Sequence, residues 1–100
     1  MQSMIRQAQK MQQDAAEKQA ELEATEYEAV AGGGVVKAKV NGKHELLNLE
    51  IDPEVIDPDD TEMLSDLVMA AVNEAIRNAV NHSEQEMGKI TQGLNIPGMF

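Results

Sequence analysis

The chain of 100 residues has no cysteine, no tryptophan and only two aromatic side chains, Tyr27 and Phe100. Without cysteine there is no disulfide scaffold, no thiolate metal site and no cysteine nucleophile. Without aromatics there is no stacking platform for unpaired bases. The core is left to Ala, Val, Leu, Ile and seven Met, a residue that packs adaptably but specifies geometry poorly. No apolar run approaches the ~20 residues of a membrane span. The polar N-terminus lacks the apolar stretch of a signal peptide, so a cytoplasmic protein is expected. This length suits one domain, expected over 1–92, with a mobile tail at 93–100.

Positive charge is scarce as well. Eight Lys and Arg against eighteen Asp and Glu leave a net charge of −10. The imbalance is not spread evenly. Residues 1–43 hold six bases and six acids, whereas 44–100 hold two bases, Arg77 and Lys89, against twelve acids. Within the first half, 1–12 and 29–43 carry bases and no acid. A net acidic chain lacks the broad basic footprint of most nucleic-acid binders, but small positive islands survive in its first half.

Residues 1–23 are rich in Gln, Ala, Glu, Lys and Met and free of Gly and Pro, which predicts a helix. Met4, Ala8, Met11, Ala15, Lys18 and Leu22 step by four and three, a narrow heptad seam with one lysine in it. The seam fits an ordinary amphipathic surface helix or a coiled-coil contact, within one chain or between two. Three short segments follow: Glu26–Ala31, Val35–Asn41 and Glu45–Ile51. Gly32, Gly33 and Gly34 join the first two. Asn41-Gly42 joins the second and third and predicts a tight hairpin with both turn residues at positive φ. Alternation puts Val36, Ala38 and Val40 on one face with Leu47, Leu49 and Ile51, and Lys37 and Lys39 on the other. Asp57 suits a helix N-cap and Pro58 the first helical position, predicting a helix from there to about Gly88 or slightly beyond. Its apolar band runs through Leu64, Leu67, Val68, Ala71, Val72, Ala75, Ile76 and Ala79, and turns polar after Val80. The expected fold is α+β, ordered α-β-β-β-α, with a three-stranded antiparallel meander and two flanking helices. One helix can cover only one sheet face, which argues for a second copy of the chain.

Motifs for chemistry are weak. The glycine run has neither the spacing of a phosphate loop nor a helix after it, and reads as a hairpin turn. The acidic stretch from Asp57 places Glu62 and Val68 where a calcium loop needs Gly and Glu, and reads as helix capping and solvated charge. His44 and His82 have no histidine partner at ligand spacing, so no metal site is expected. Ser3, Ser65 and Ser83 lie in helical patterns without a nucleophile elbow. No catalytic residue, cofactor or small-molecule substrate is expected, and no recognition-helix motif is present.

The whole pattern resembles the YbaB/EbfC family of nucleoid-associated DNA-binding proteins. The resemblance rests on MIRQAQKMQQ, on AGGGVVKAKVNGKHELLNLEIDPEVID, on DDTEMLSDLVMAAVNEAIRNA and on the closing NIPGMF. It implies a tweezer-like homodimer with protruding helices. It also implies binding to duplex DNA with little sequence demand, and a role in organising the bacterial nucleoid or regulating expression. Phosphate contacts would then come from Arg6, Lys10 and Lys18 on the first helix and from Arg77 and Lys89 on the last. Lys37, Lys39 and Lys43 form a second candidate patch. The rival reading is a protein-interaction module that uses the acidic second half and the Met-rich helix without binding DNA.

Overall fold

Five main elements form where composition and periodicity change along the chain. A computed structural model describes residues 2–92, with side-chain surroundings for 3–89. Helix α1 (Gln2–Ala24) leads into strands β1 (Glu26–Ala31), β2 (Val36–Asn41) and β3 (Leu46–Ile51). A single 3-10 turn (Pro53–Val55) then precedes helix α2 (Thr61–Gln92). The sheet is an antiparallel meander in the order β1-β2-β3, so the expected α-β-β-β-α architecture is present. The expected tail at 93–100 lies outside the described residues.

The core sits between one face of the sheet and α2. Val36, Ala38 and Val40 alternate along the central strand and are fully buried. Opposite them Ala71, Ala75 and Ala79, four residues apart on α2, are buried to the same degree. Four-residue spacing brings these alanines onto one line along the helix, and their small size lets its backbone lie close to the sheet. Tyr27, Ala31, Leu49, Ile51, Leu67, Val68, Val72 and Ile76 close the margins. Full burial of Val36 and Val40 stabilises the fold by about 1.5–3 kcal/mol each. The opposite sheet face is polar and open, with Glu26, Glu28 and Val30 of β1 across from Asn41, Lys39 and Lys37 of β2.

Three local readings of the sequence are corrected. First, Asn41-Gly42 is not the centre of a two-residue turn. Asn41 Oδ1 accepts the backbone N–H groups of Lys43 and Glu45 at 2.9 and 3.0 Å, and His44 takes the left-handed conformation, φ 66°. Gly42 is needed for a different reason: its N–H donates to the Glu23 carbonyl, and a Cβ there would collide with the backbone of Leu22 and Glu23. Second, the register slips in β3, where Lys39 faces Asn48 but Val40 faces Leu46. Leu47 is the extra residue of this bulge, so it does not join Leu49 and Ile51 in the core. Leu46 and Leu47 are each 48% exposed. Third, Asp57 does not cap α2. Its carboxylate accepts from the N–H of Asp59 and its carbonyl from that of Asp60, which closes a separate turn around Pro58. Asp60 is the cap, accepting from the N–H of Met63 at 3.1 Å, and the helix starts at Thr61.

Helix α2 runs antiparallel to β1, with Leu67 beside Gly32 and His82 beside Tyr27. Its later turns meet the C-terminal part of α1. On α1 burial rises along the seam toward the sheet, from exposed Met4 and Ala8 through half-buried Met11, Ala15 and Lys18 to buried Leu22. The seam is thus an intrachain helix contact at its inner end. Residues 3–10 stand free of it, and the described molecule is drawn out to 69 × 25 × 16 Å.

These two kinds of glycine separate in a stability test. Gly33 has φ +76° but open space around it, so Gly33→Ala should cost only the left-handed strain, about 1 kcal/mol. Gly42→Ala forces backbone apart and should cost about 3 kcal/mol, the upper end of overpacking penalties. Urea midpoints of the two variants check the order.

Candidate nucleic-acid interface

Lysine and arginine bind phosphate only where their charge is accessible and not already spent on a carboxylate. The eight cations of this chain divide on that criterion. Arg6 and Lys10, four residues apart on the outer part of α1, share a helix face, are exposed and have no ion pair among the described residues. The first acid on α1 is Asp14. Lys37 on the open sheet face and Lys43 in the β2–β3 turn are likewise exposed and without an ion pair among the described residues. Each nevertheless faces acids. Lys37 lines an open cleft of about 420 Å³ with Glu50 and Asp52, and Lys43 lines one of about 290 Å³ with Glu23 and Glu45.

The other four are held. Lys39 lies 3.7 Å from Glu26 and 3.5 Å from Glu28 across the β1–β2 pairing. Arg77 donates from Nε to Glu74 at 3.0 Å, one turn back on α2. Lys18 Nζ reaches from α1 to Glu86 Oε2 on α2 at 3.2 Å, with Glu21 3.7 Å away. Lys89 donates to Glu86 Oε1 at 3.2 Å. The sheet trio of Lys37, Lys39 and Lys43 is therefore a mixed-charge surface.

Glu86 is the hub that a search for cations alone passes over. His82 Nε2 lies 3.4 Å from Glu86 Oε1, while Nδ1 is 2.7 Å from the Tyr27 hydroxyl. With the imidazole proton on Nε2, Nδ1 accepts the hydroxyl hydrogen. The series Tyr27–His82–Glu86–Lys18 thereby ties β1, α2 and α1 together. Hydrogen bonding and charge from Lys18 and Lys89 hold the Glu86 carboxyl below its usual range, while its partial burial opposes them. The hydrogen bond to Glu86 raises the Lys18 ammonium, again against partial desolvation. The sequence did hold a signal: a lysine in an apolar seam calls for an acid on the facing helix.

No group of three His, Asp or Glu side chains that could hold a metal ion exists among the described residues. None of the described helices is long and apolar enough to cross a membrane.

The profile of the YbaB/EbfC DNA-binding family matches residues 1–94. The chain belongs to that family. A nucleoid-associated protein of Alkaliphilus metalliredigens is 57% identical over 100 residues, covering all of this chain and 88% of its own. One of Thermoanaerobacter pseudethanolicus is 56% identical over 98 residues, covering 98% of this chain and 88% of its own. Among solved structures, the uncharacterized protein HP0035 of Helicobacter pylori superposes with a TM-score of 0.75 at 20% identity. That match covers 91% of this chain and 96% of the other, and at this identity the likeness is one of fold. The resemblance read from the sequence is thus correct, and the family's α-β-β-β-α order is the one observed.

The Glu86 cluster makes a signed prediction about pH. A carboxyl lowered on folding contributes stability above its ordinary value of 4.5 and loses it as pH falls through the folded value. The melting temperature should therefore drop on acidification below pH ~4.5. Glu86→Gln should lose this part of the drop, and identical acid limbs in the two proteins would refute the assignment. The Lys18 contribution, by the same rule, is present below the ordinary lysine value of 10.5 and fades only above it.

Proposed function

We propose that this chain is a nucleoid-associated protein of the bacterial cytoplasm that binds duplex DNA through its phosphates, with little demand on sequence and without a catalytic step. Membership of a DNA-binding family is the observation that carries this reading. The charge arrangement supports it: the outer part of α1, residues 2–13, carries Arg6 and Lys10 and no acid. The N-terminus of a helix also presents partial positive charge and adds to the attraction of Arg6 and Lys10 for phosphate. These two are the leading contacts, with Lys37 and Lys43 second. Lys18, Lys39, Arg77 and Lys89 contribute less, because each is held by a carboxylate. No recognition-helix motif reads bases, so affinity is set by phosphate contacts and by DNA shape.

The working unit in this proposal is a homodimer. β3 is an edge strand, and Leu46 and Leu47 stand half-exposed on it, an arrangement that invites a partner strand. Met4 and Ile5 are exposed near the free end of α1. The polar outer face of the sheet needs no cover, so the edge and the helix are the surfaces that a second copy would occupy. Sedimentation at micromolar concentration should give about twice 10.9 kDa; a folded monomer at that concentration would defeat the dimer.

Changing Arg6 and Lys10 together to Ala should weaken binding to unrelated duplexes about equally. In a dimer the double variant removes four charges, and the slope of log affinity against log salt should fall in magnitude by about 3–4 if all four touch phosphate. Fluorescence anisotropy over a salt series measures both. A variant that keeps its affinity and its slope would show that α1 is not the contact. Loss restricted to one duplex sequence would point to base readout instead.

A further inference from the structure

Glu86 occupies the place where an incoming anion would bind. Its carboxylate is ringed by three nitrogen groups from two helices: Lys18 Nζ from α1 at 3.2 Å, Lys89 Nζ at 3.2 Å and His82 Nε2 at 3.4 Å. The lysine side chains are 32% and 70% exposed, whereas that of Glu86 is only 17% exposed. The cations thus open to solvent, and the carboxylate lies beneath them. A phosphodiester presents two charged oxygens to lysines much as a carboxylate does. We propose that Lys18, Lys89 and His82 form a phosphate subsite between α1 and α2 that the chain fills with its own Glu86, an internal competitor for the DNA backbone.

This inference rests on the DNA-binding reading above and refines it. Phosphate can use the subsite only by displacing Glu86 or by approaching against its charge. Glu21, 3.7 Å from Lys18, adds a weaker opposing charge, since its side chain is 70% exposed. The cluster is therefore close to neutral as folded. It withholds two of the chain's eight cations from DNA while using one of them to dock α1 onto α2. Removal of the Glu86 charge alone, with the side chain's shape kept, converts the base of α1 from a neutral clasp into a cationic surface.

The test is a salt series of anisotropy titrations with a 30-base-pair duplex, chosen to span both chains of a dimer. It compares the natural chain, Glu86→Gln, Glu84→Gln, and Glu86→Gln combined with Lys18→Ala and Lys89→Ala. Glu84 is exposed on the same stretch of α2 and has no ion pair among the described residues, so its variant reports the effect of bulk charge. Glu86→Gln should bind more tightly, and its slope should steepen by about 1.8 for each chain that engages, for two added phosphate contacts. Glu84→Gln should change the slope far less, and the combined variant should lose the gain. Equal behaviour of Glu86→Gln and Glu84→Gln overturns the inference, as does weaker binding by Glu86→Gln. Circular dichroism checks that α1 stays folded. If Glu86→Gln loses helix, Lys18→Gln replaces it: the inference expects an unchanged slope, because that amine is already occupied, and a fall of about 0.9 overturns it. Failure of the DNA-binding reading looks different, since then neither the natural chain nor any variant binds the duplex at low salt.

Discussion

The structure depends on how closely a helix can approach a sheet. Ala71, Ala75 and Ala79 run along one line of α2, and Val36, Ala38 and Val40 run beneath them on the central strand. Small side chains on both sides shorten the separation, and interior packing leaves little room for anything larger. The line also fixes the rotation of α2 about its own axis. Three residues beyond Ala79, that rotation delivers His82 to Tyr27 near the start of β1. One further turn delivers Glu86 to Lys18. The alanine line thus helps to place α1, together with the close approach of α1 to Gly42 in the β2–β3 turn.

Much of this was legible in the chain itself. The strand alternation through Val36, Ala38 and Val40 and the apolar band from Leu64 to Ala79 have a single period each and one consistent partner. Local signals that two structures can share were less secure. Asn-Gly marks a turn, but both a two-residue turn and a three-residue loop use it, and the choice fell to His44 and to the close approach of α1. Asp57 and Asp60 are both good caps, and no local rule ranks them; Pro58 sits in a turn closed by Asp57, so the helix waits for Asp60. The β3 bulge was invisible, because Leu46 and Leu47 are equally apolar and alternation alone assigns one of them to the core.

The candidate interface was legible only in part. Sequence identifies cations, but neutralisation is a property of neighbours. Lys37 and Lys39 look alike in the strand pattern, yet Lys39 lies between Glu26 and Glu28 while Lys37 has no ion pair among the described residues. Glu86 drew no notice among eighteen acids, since its importance comes from an α1 lysine sixty-eight positions earlier in the chain. Family membership supplies what the pattern alone does not, a reason to weigh a few free cations against a strongly acidic whole.

The free end of α1 and the start of α2 lie toward opposite ends of a 69 Å body. Arg6 and Lys10 mark the first; Asp57, Asp59, Asp60, Glu62 and Asp66 crowd the second. Such a molecule has a permanent electric axis. In the field of a polyanion it experiences a torque in addition to the net repulsion of its −10 charge. At 0.1 M salt that field fades over ~10 Å, a distance far shorter than the body, so the nearer end governs the encounter. If α1 is the contact proposed above, collisions that present the acidic end would be turned away and those that present the α1 end would persist. Net charge would then lower how often the protein meets DNA, and the axis would decide which way round it arrives.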